Sequence, residues 1–134
     1  MKKKRLIVLI IGCLIVIGIG VFVFSGQKPY KNLRAEDIAS ATVYLAPPDK
    51  TIQIVEIKEL VTYLKELVIY NEDNSYTEYD GQAVIFTLTM FDGSQEEIMV
   101  YNPFVVINGN GYKTKYEPCE KLNHYANQLL DSAE

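Results

Sequence analysis

Tryptophan is absent from this chain, histidine occurs once and cysteine twice. With a single imidazole, any catalytic scheme built on histidine must use His124. Cys13 lies inside an apolar run and Cys119 far from it, so no internal disulfide is available and the fold must stand on its apolar core. Internal repeats and low-complexity tracts are missing. So is a phosphate-cradling loop, because residues 108–111, NGNG, fall between two expected strands rather than before a helix. Positive charge is scarce beyond the first few residues. Setting aside Lys2, Lys3, Lys4 and Arg5 leaves nine Lys and Arg against seventeen Asp and Glu, a net charge of −8. That sign disfavours nucleic acid as a partner and disfavours lying flat on anionic headgroups; acidity of this kind ordinarily serves solubility.

What is present in quantity is apolar sequence at the start. Leu6 to Phe24, LIVLIIGCLIVIGIGVFVF, is an uninterrupted run of nineteen residues directly behind the four basic ones. As a helix it reaches about 28 Å, close to the roughly 30 Å hydrocarbon core of a bilayer. Juxtamembrane Lys and Arg stay on the cytoplasmic side, so the expected topology is a single pass with the amino terminus inside and everything after Phe24 outside. A cleaved secretory signal shares the basic start and apolar core. Its core is shorter, about 7–15 residues, and needs small residues at the cleavage point, where this chain has Val21, Phe22, Val23 and Phe24. Ile11, Gly12 and Cys13 superficially resemble a lipoprotein attachment site, but the run stays apolar well beyond Cys13, which reads more simply as a small helix residue. The glycines in the run do not form a four-residue repeat, so a helix-dimerisation signal is weak.

The expected organisation is a basic flank and transmembrane anchor over 1–24, a polar tether over 25–34 and an extracytoplasmic α+β domain over 35–134. Pro29 and the polar residues around it suit a tether, and Tyr30 suits the membrane interface. Strands are expected at 39–45 and 51–55. Over 56–68 the period changes: Ile57, Leu60, Val61, Leu64, Leu67 and Val68 form one helical stripe. Residues 71–79, NEDNSYTEY, read as a polar loop. The segment 83–91 alternates as a strand, Asp92 and Gly93 signal a type I′ hairpin, and 96–101, 104–107 and 112–116 follow as strands. A second helix closes the chain, with Pro118 near its first turn and Leu122, Tyr125, Ala126, Leu129 and Leu130 along one stripe. The order β-β-α-β-β-β-β-α, joined mostly by hairpins, predicts an antiparallel sheet with both helices packed on one face.

Candidate chemistry is thin. Cys119 and His124 are five residues apart on one helix, which turns their side chains about 140° away from each other and disfavours a thiolate–imidazole pair. Cys119 reads as a buried thiol, with an intermolecular bridge as the alternative, and His124 as a surface residue one turn from Glu120. Glu72, Asp73, Glu78 and Asp80 gather carboxylates in one loop with Asn71 and Asn74, but not at the spacing of a calcium-binding loop. Ten tyrosines are the remaining oddity, several in strands or loops: Tyr70, Tyr76, Tyr79, Tyr101, Tyr112 and Tyr116. Tyrosine is common in strands and also favoured at recognition surfaces, so a binding patch follows only where several share the helix-free face. No catalytic, cofactor-binding or metal-binding residue is assigned.

Three segments, ATVYLAPPDKTIQI, DGQAVIFTLTMFDGSQEEIMV and NPFVVINGNGYKTKYEP, carry a resemblance to small membrane-anchored or secreted hypothetical proteins of Gram-positive bacteria, gut Clostridia especially. The resemblance implies a compartment and an architecture and transfers no functional residues. The leading expectation is a non-catalytic binding or sensing module for a peptide, envelope component or partner protein. Its surface would be the open sheet face with Thr87, Thr89, Met99 and Tyr101, or an unpaired sheet edge. An accessory subunit of a membrane complex is one alternative; a hydrolase or thiol enzyme using Cys119 or His124 is another.

Overall fold

A computed structural model describes residues 26–133. The anchor and orientation expected from Leu6 to Phe24 fall outside the described residues, among which no helix is long and apolar enough to cross a membrane.

Seven strands form one antiparallel sheet in the order β2-β1-β4-β5-β6-β7-β3. They are β1 (Ile38–Ala46), β2 (Lys50–Ile54), β3 (Ile69–Glu72), β4 (Ala83–Met90), β5 (Gln95–Tyr101), β6 (Phe104–Ile107) and β7 (Asn110–Thr114). Helix α1 (Ile57–Lys65) joins β2 to β3, and α2 (Tyr116–Ala133) ends the chain. Period-two alternation places Val43, Leu45, Val84, Phe86, Leu88, Ile98 and Val100 on one face, all fully buried. Register reinforces that row, because Phe86 sits opposite Val43 on one side and Ile98 on the other. The buried stripes of both helices, Leu60, Val61 and Leu64 from α1 and Leu122, Tyr125, Ala126 and Leu130 from α2, close over the same cluster. Each such side chain contributes about 1.5–3 kcal/mol relative to exposure.

Three expectations change. Helix α1 stops at Lys65 rather than 68: the Glu66 and Leu67 amides donate to Tyr63 and Leu64 carbonyls three residues back, tightening the last turn before Leu67 and Val68, both buried, lead into β3. Next comes a strand absent from the expected order, β3, whose IYNE sequence starts after the expected helix, runs into the segment read as a loop and pairs along β7. Finally, the segment expected as a tether is attached to the domain from Gln27 onward. Gln27 and Ile69 exchange two backbone hydrogen bonds of 2.8 Å, satisfying groups on the otherwise open edge of β3. Tyr30, expected at the membrane interface, is only 7% exposed, and its hydroxyl donates to Glu96 Oε1 at 3.2 Å.

Turn chemistry also redistributes. Asp92 and Gly93 do not make the type I′ turn, since only Gly93 has positive φ; Asp92 instead accepts from the Ser94 amide and hydroxyl at 2.9 and 2.6 Å. The two-residue loop with both φ positive is Asn108 and Gly109, between paired Ile107 and Asn110.

Candidate functional site

With both helices on one face, the other face of β1, β4 and β5 carries no helix. Thr42, Tyr44, Ile85, Thr87, Thr89, Met99 and Tyr101 alternate onto it and are all half-buried. Pairing sets their array: Thr42 lies opposite Thr87, Tyr44 opposite Ile85, and Ile85 opposite Met99. The result is a mixed surface in which threonine hydroxyls, Gln95 and the Glu97 carboxylate, the last two opposite Thr89 and Thr87, surround two apolar side chains.

Beyond β5 the same face is covered. The 73–82 segment folds over β6 and β7, and its rings Tyr76 and Tyr79 pack on fully buried Phe104 at 6.4 and 5.5 Å between centroids. Lys113 lies 4.5 Å from the centre of the Phe104 ring and 3.8 Å from Asp73. Gly111 permits this cover, because a Cβ there would stand 2.8 Å from the Tyr76 ring and 2.5 Å from the Asp73 carbonyl. The loop is pinned by Asp73 N to Gly111 O and Gly111 N to Asn74 Oδ1, both 2.8 Å.

Where this loop meets α2, a groove of about 530 Å³ opens beside Tyr101. Gln82 and Asn127 close one wall by a reciprocal amide pair at 3.1 and 3.0 Å. On another wall, Asn102 donates through Nδ2 to the Tyr116 carbonyl and to Glu120 Oε2, both at 3.2 Å. Asp80, Glu120 and His124 complete a lining that contains no Lys or Arg. Among the described residues, two buried side-chain polar atoms lack a hydrogen-bond partner, Tyr101 Oη and Asn102 Oδ1, and both residues line this groove. A second groove of about 590 Å³ runs between α1 and α2 past Tyr63, Tyr116 and the Lys121–Glu66 pair at 3.8 Å.

The residues singled out from sequence scatter. Cys119 is fully buried under Phe104, its Sγ 3.7 Å from the Phe104 carbonyl, and burial pushes its thiol up to about 12. His124 is exposed on the other side of α2, so the candidate nucleophile and base are not brought together. The acidic loop does not converge either: Glu72 is on β3, and Asp73 accepts from Ser75, whose hydroxyl and amide hold its carboxyl below the usual range. No metal-holding cluster occurs among the described residues. Of the six tyrosines, Tyr76, Tyr79 and Tyr101 do gather on the helix-free face, at the end where the groove opens. Sequence reading missed the amides Gln82, Asn102, Asn123 and Asn127. The only signal was Asn123 and Asn127 one turn apart on the second helix, where polar residues ordinarily mean solvent.

Comparison with family models, with curated proteins and with solved structures returns no match.

Proposed function

We propose that this chain is a single-pass membrane protein whose extracytoplasmic domain is a non-catalytic binding module, presenting its helix-free sheet face to a peptide or protein partner. The observation that supports this most is that face itself. Ile85 and Met99 are left only half-buried among Thr42, Thr87 and Thr89, on a face that neither helix covers. Cys119, the one candidate nucleophile, is sealed in the core. Chain length supports a placement close against the membrane. The apolar run ends at Phe24 and Gln27 is already bonded to Ile69, so the three intervening peptide links reach at most about 11 Å. With Leu6 to Phe24 in the bilayer, the β3 edge stands at headgroup level and β2 forms the distal edge.

Photo-crosslinking residues placed at Thr87 and at Met99, in the full chain in membranes of the producing cell, test the face. The expected result is a discrete adduct from both positions, none from Lys58 on the exposed side of α1, and loss of the Thr87 adduct on Met99→Glu. Absence of face adducts, or equal adducts from Lys58, overturns the reading.

A further inference from the structure

We infer that the β3 edge of the domain, with Lys28, Lys31 and Lys115 around it, docks on the anionic phospholipid headgroups of the membrane that holds the chain, so that the sheet stands on edge. The inference deepens the binding-module reading and rests on its membrane anchor.

Charge is segregated in this domain. Residues 26–33, 69–73 and 110–116, which build the edge around β3, carry four lysines and two carboxylates. The rest of the chain after Phe24 carries five Lys and Arg against fifteen Asp and Glu. The net charge of −8 is therefore an excess of two positive charges at one end of the sheet and of ten negative charges elsewhere. An anionic surface repels a domain so divided when it lies flat and attracts it with the β3 edge down.

Backbone contacts hold the lysines at that edge. Lys28 follows Gln27, whose two bonds to Ile69 fix it beside β3, and the Lys31 amide closes a turn onto the Lys28 carbonyl at 3.4 Å. The Lys115 amide donates to the carbonyl of Val68, the residue before β3, at 3.0 Å. All three side chains are exposed, and none is paired with a carboxylate among the described residues. The fourth lysine, Lys113, is engaged with Asp73 at 3.8 Å, which leaves Glu72 as the one uncompensated acid of the edge.

The chain also arrives from the membrane on this edge. Gly26 lies flush against β3: a Cβ on it would stand 2.6 Å from Val68 Cγ1 and 2.8 Å from the Tyr70 ring. Only two peptide links separate Gly26 from the end of the apolar run, a reach of at most about 8 Å. That is comparable with the Debye length of about 8 Å at physiological ionic strength, so headgroup charge is felt at the edge. Tyr70, beside Gly26, is 38% exposed, and an amphipathic ring at this level suits the interfacial layer. A further strand is a poorer occupant, because Gln27 already takes the Ile69 amide and carbonyl on the open side of β3.

The test places the full chain in nanodiscs of phosphatidylcholine alone and of phosphatidylcholine with phosphatidylglycerol, each with a trace of gadolinium-chelating headgroups, and reads paramagnetic broadening of backbone amides. The expected result is broadening at Tyr70 and Lys115 that grows with phosphatidylglycerol, is reversed by salt and spares Thr51 and Gln53 on β2. Lys28→Glu with Lys115→Glu returns it to the phosphatidylcholine level, each lysine being worth about fivefold in contact occupancy. Lys58→Glu with Lys65→Glu, the same charge change on exposed positions of α1, leaves it unaltered. Equal broadening in the two lipids, broadening on β2 in place of β3, or identical behaviour of the two double variants each overturn the inference. A chain that elutes free of the nanodisc overturns the anchor and this inference together, whereas an inserted chain indifferent to lipid charge sinks this inference alone. Lipid-dependent broadening without adducts at Thr87 sinks the sheet-face reading alone.

Discussion

Raising the pH from 9 to 12 unfolds residues 26–133 in one cooperative step, in which Cys119, Tyr30 and Tyr125 ionise together. All three are buried acids held in their neutral form. Burial pushes the Cys119 thiol up to about 12 from an ordinary 9.0, and burial, then the nearby Glu59, pushes the Tyr125 phenol up to about 12 from 10.0. Tyr30 is raised further still, by burial first and then by Glu96, whose carboxylate its hydroxyl contacts. The sign follows from which state holds the protons. Below pH 9 both folded and unfolded chains keep them, and the contribution of these groups to stability is complete. Above it only the unfolded chain releases them, so stability falls as pH rises and goes on falling toward 12. A thousand-fold difference in ionisation at Cys119 alone corresponds to about 4 kcal/mol. A domain of this size has about 5–15 kcal/mol in total, and the two tyrosines act in the same direction. Tyrosinate absorbance and circular dichroism of the full chain in nanodiscs measure the step, with alkylation of Cys119 appearing in parallel. Ionisation of Tyr30 or alkylation of Cys119 near their ordinary values with the fold intact would contradict it.

Phe86→Ala costs about 3–5 kcal/mol, the range for emptying a large aromatic site in a closed core. Phe86 is fully buried on the central strand β4, opposite Val43 of β1 and Ile98 of β5. Its ring stacks on Tyr125 of α2 with centroids 6.3 Å apart, and Tyr125 in turn meets Tyr63 of α1 at 5.0 Å. One truncation therefore opens a void shared by three strands and both helices, which relaxation of any single element does not fill. Phe91→Ala is the control: Phe91 is 73% exposed in the β4–β5 loop, and its loss stays within about 0.5 kcal/mol. Urea denaturation of both variants gives the comparison, and equal midpoints would contradict the described core.

Strongly patterned elements were legible from sequence for physical reasons that run through this core. Strand β4 alternates buried and half-buried residues along its length, so period two announced it, and the stripe of α1 announced the helix. Strand β3 was illegible because only one strand pairs with it, the other edge meeting just Gln27, and because it has one partly buried apolar residue, Ile69, and otherwise reads Tyr-Asn-Glu like the loop after it. Gln27 to Tyr30 looked like a tether because its attachment is made by backbone groups and by one tyrosine whose partner, Glu96, is distant in sequence. The groove was hidden for the same reason: Gln82, Asn102, Glu120 and Asn127 come from a loop, a strand end and a helix, and only the fold juxtaposes them. Cys119, read as buried because burial is the commoner state of a free thiol, does lie inside.

The account depends most on the apolar run holding this domain at the outer surface of a membrane. Gln128→Cys puts a thiol on the exposed side of α2, leaving Cys119 buried as it is. Intact protoplasts carrying the full-length variant are treated with a membrane-impermeant maleimide and then fractionated. The account predicts that the chain, starting at Met1, sediments with membranes and is labelled at position 128 without permeabilisation. Recovery of the intact chain in the soluble fraction, or labelling only after the membrane is opened, would contradict it.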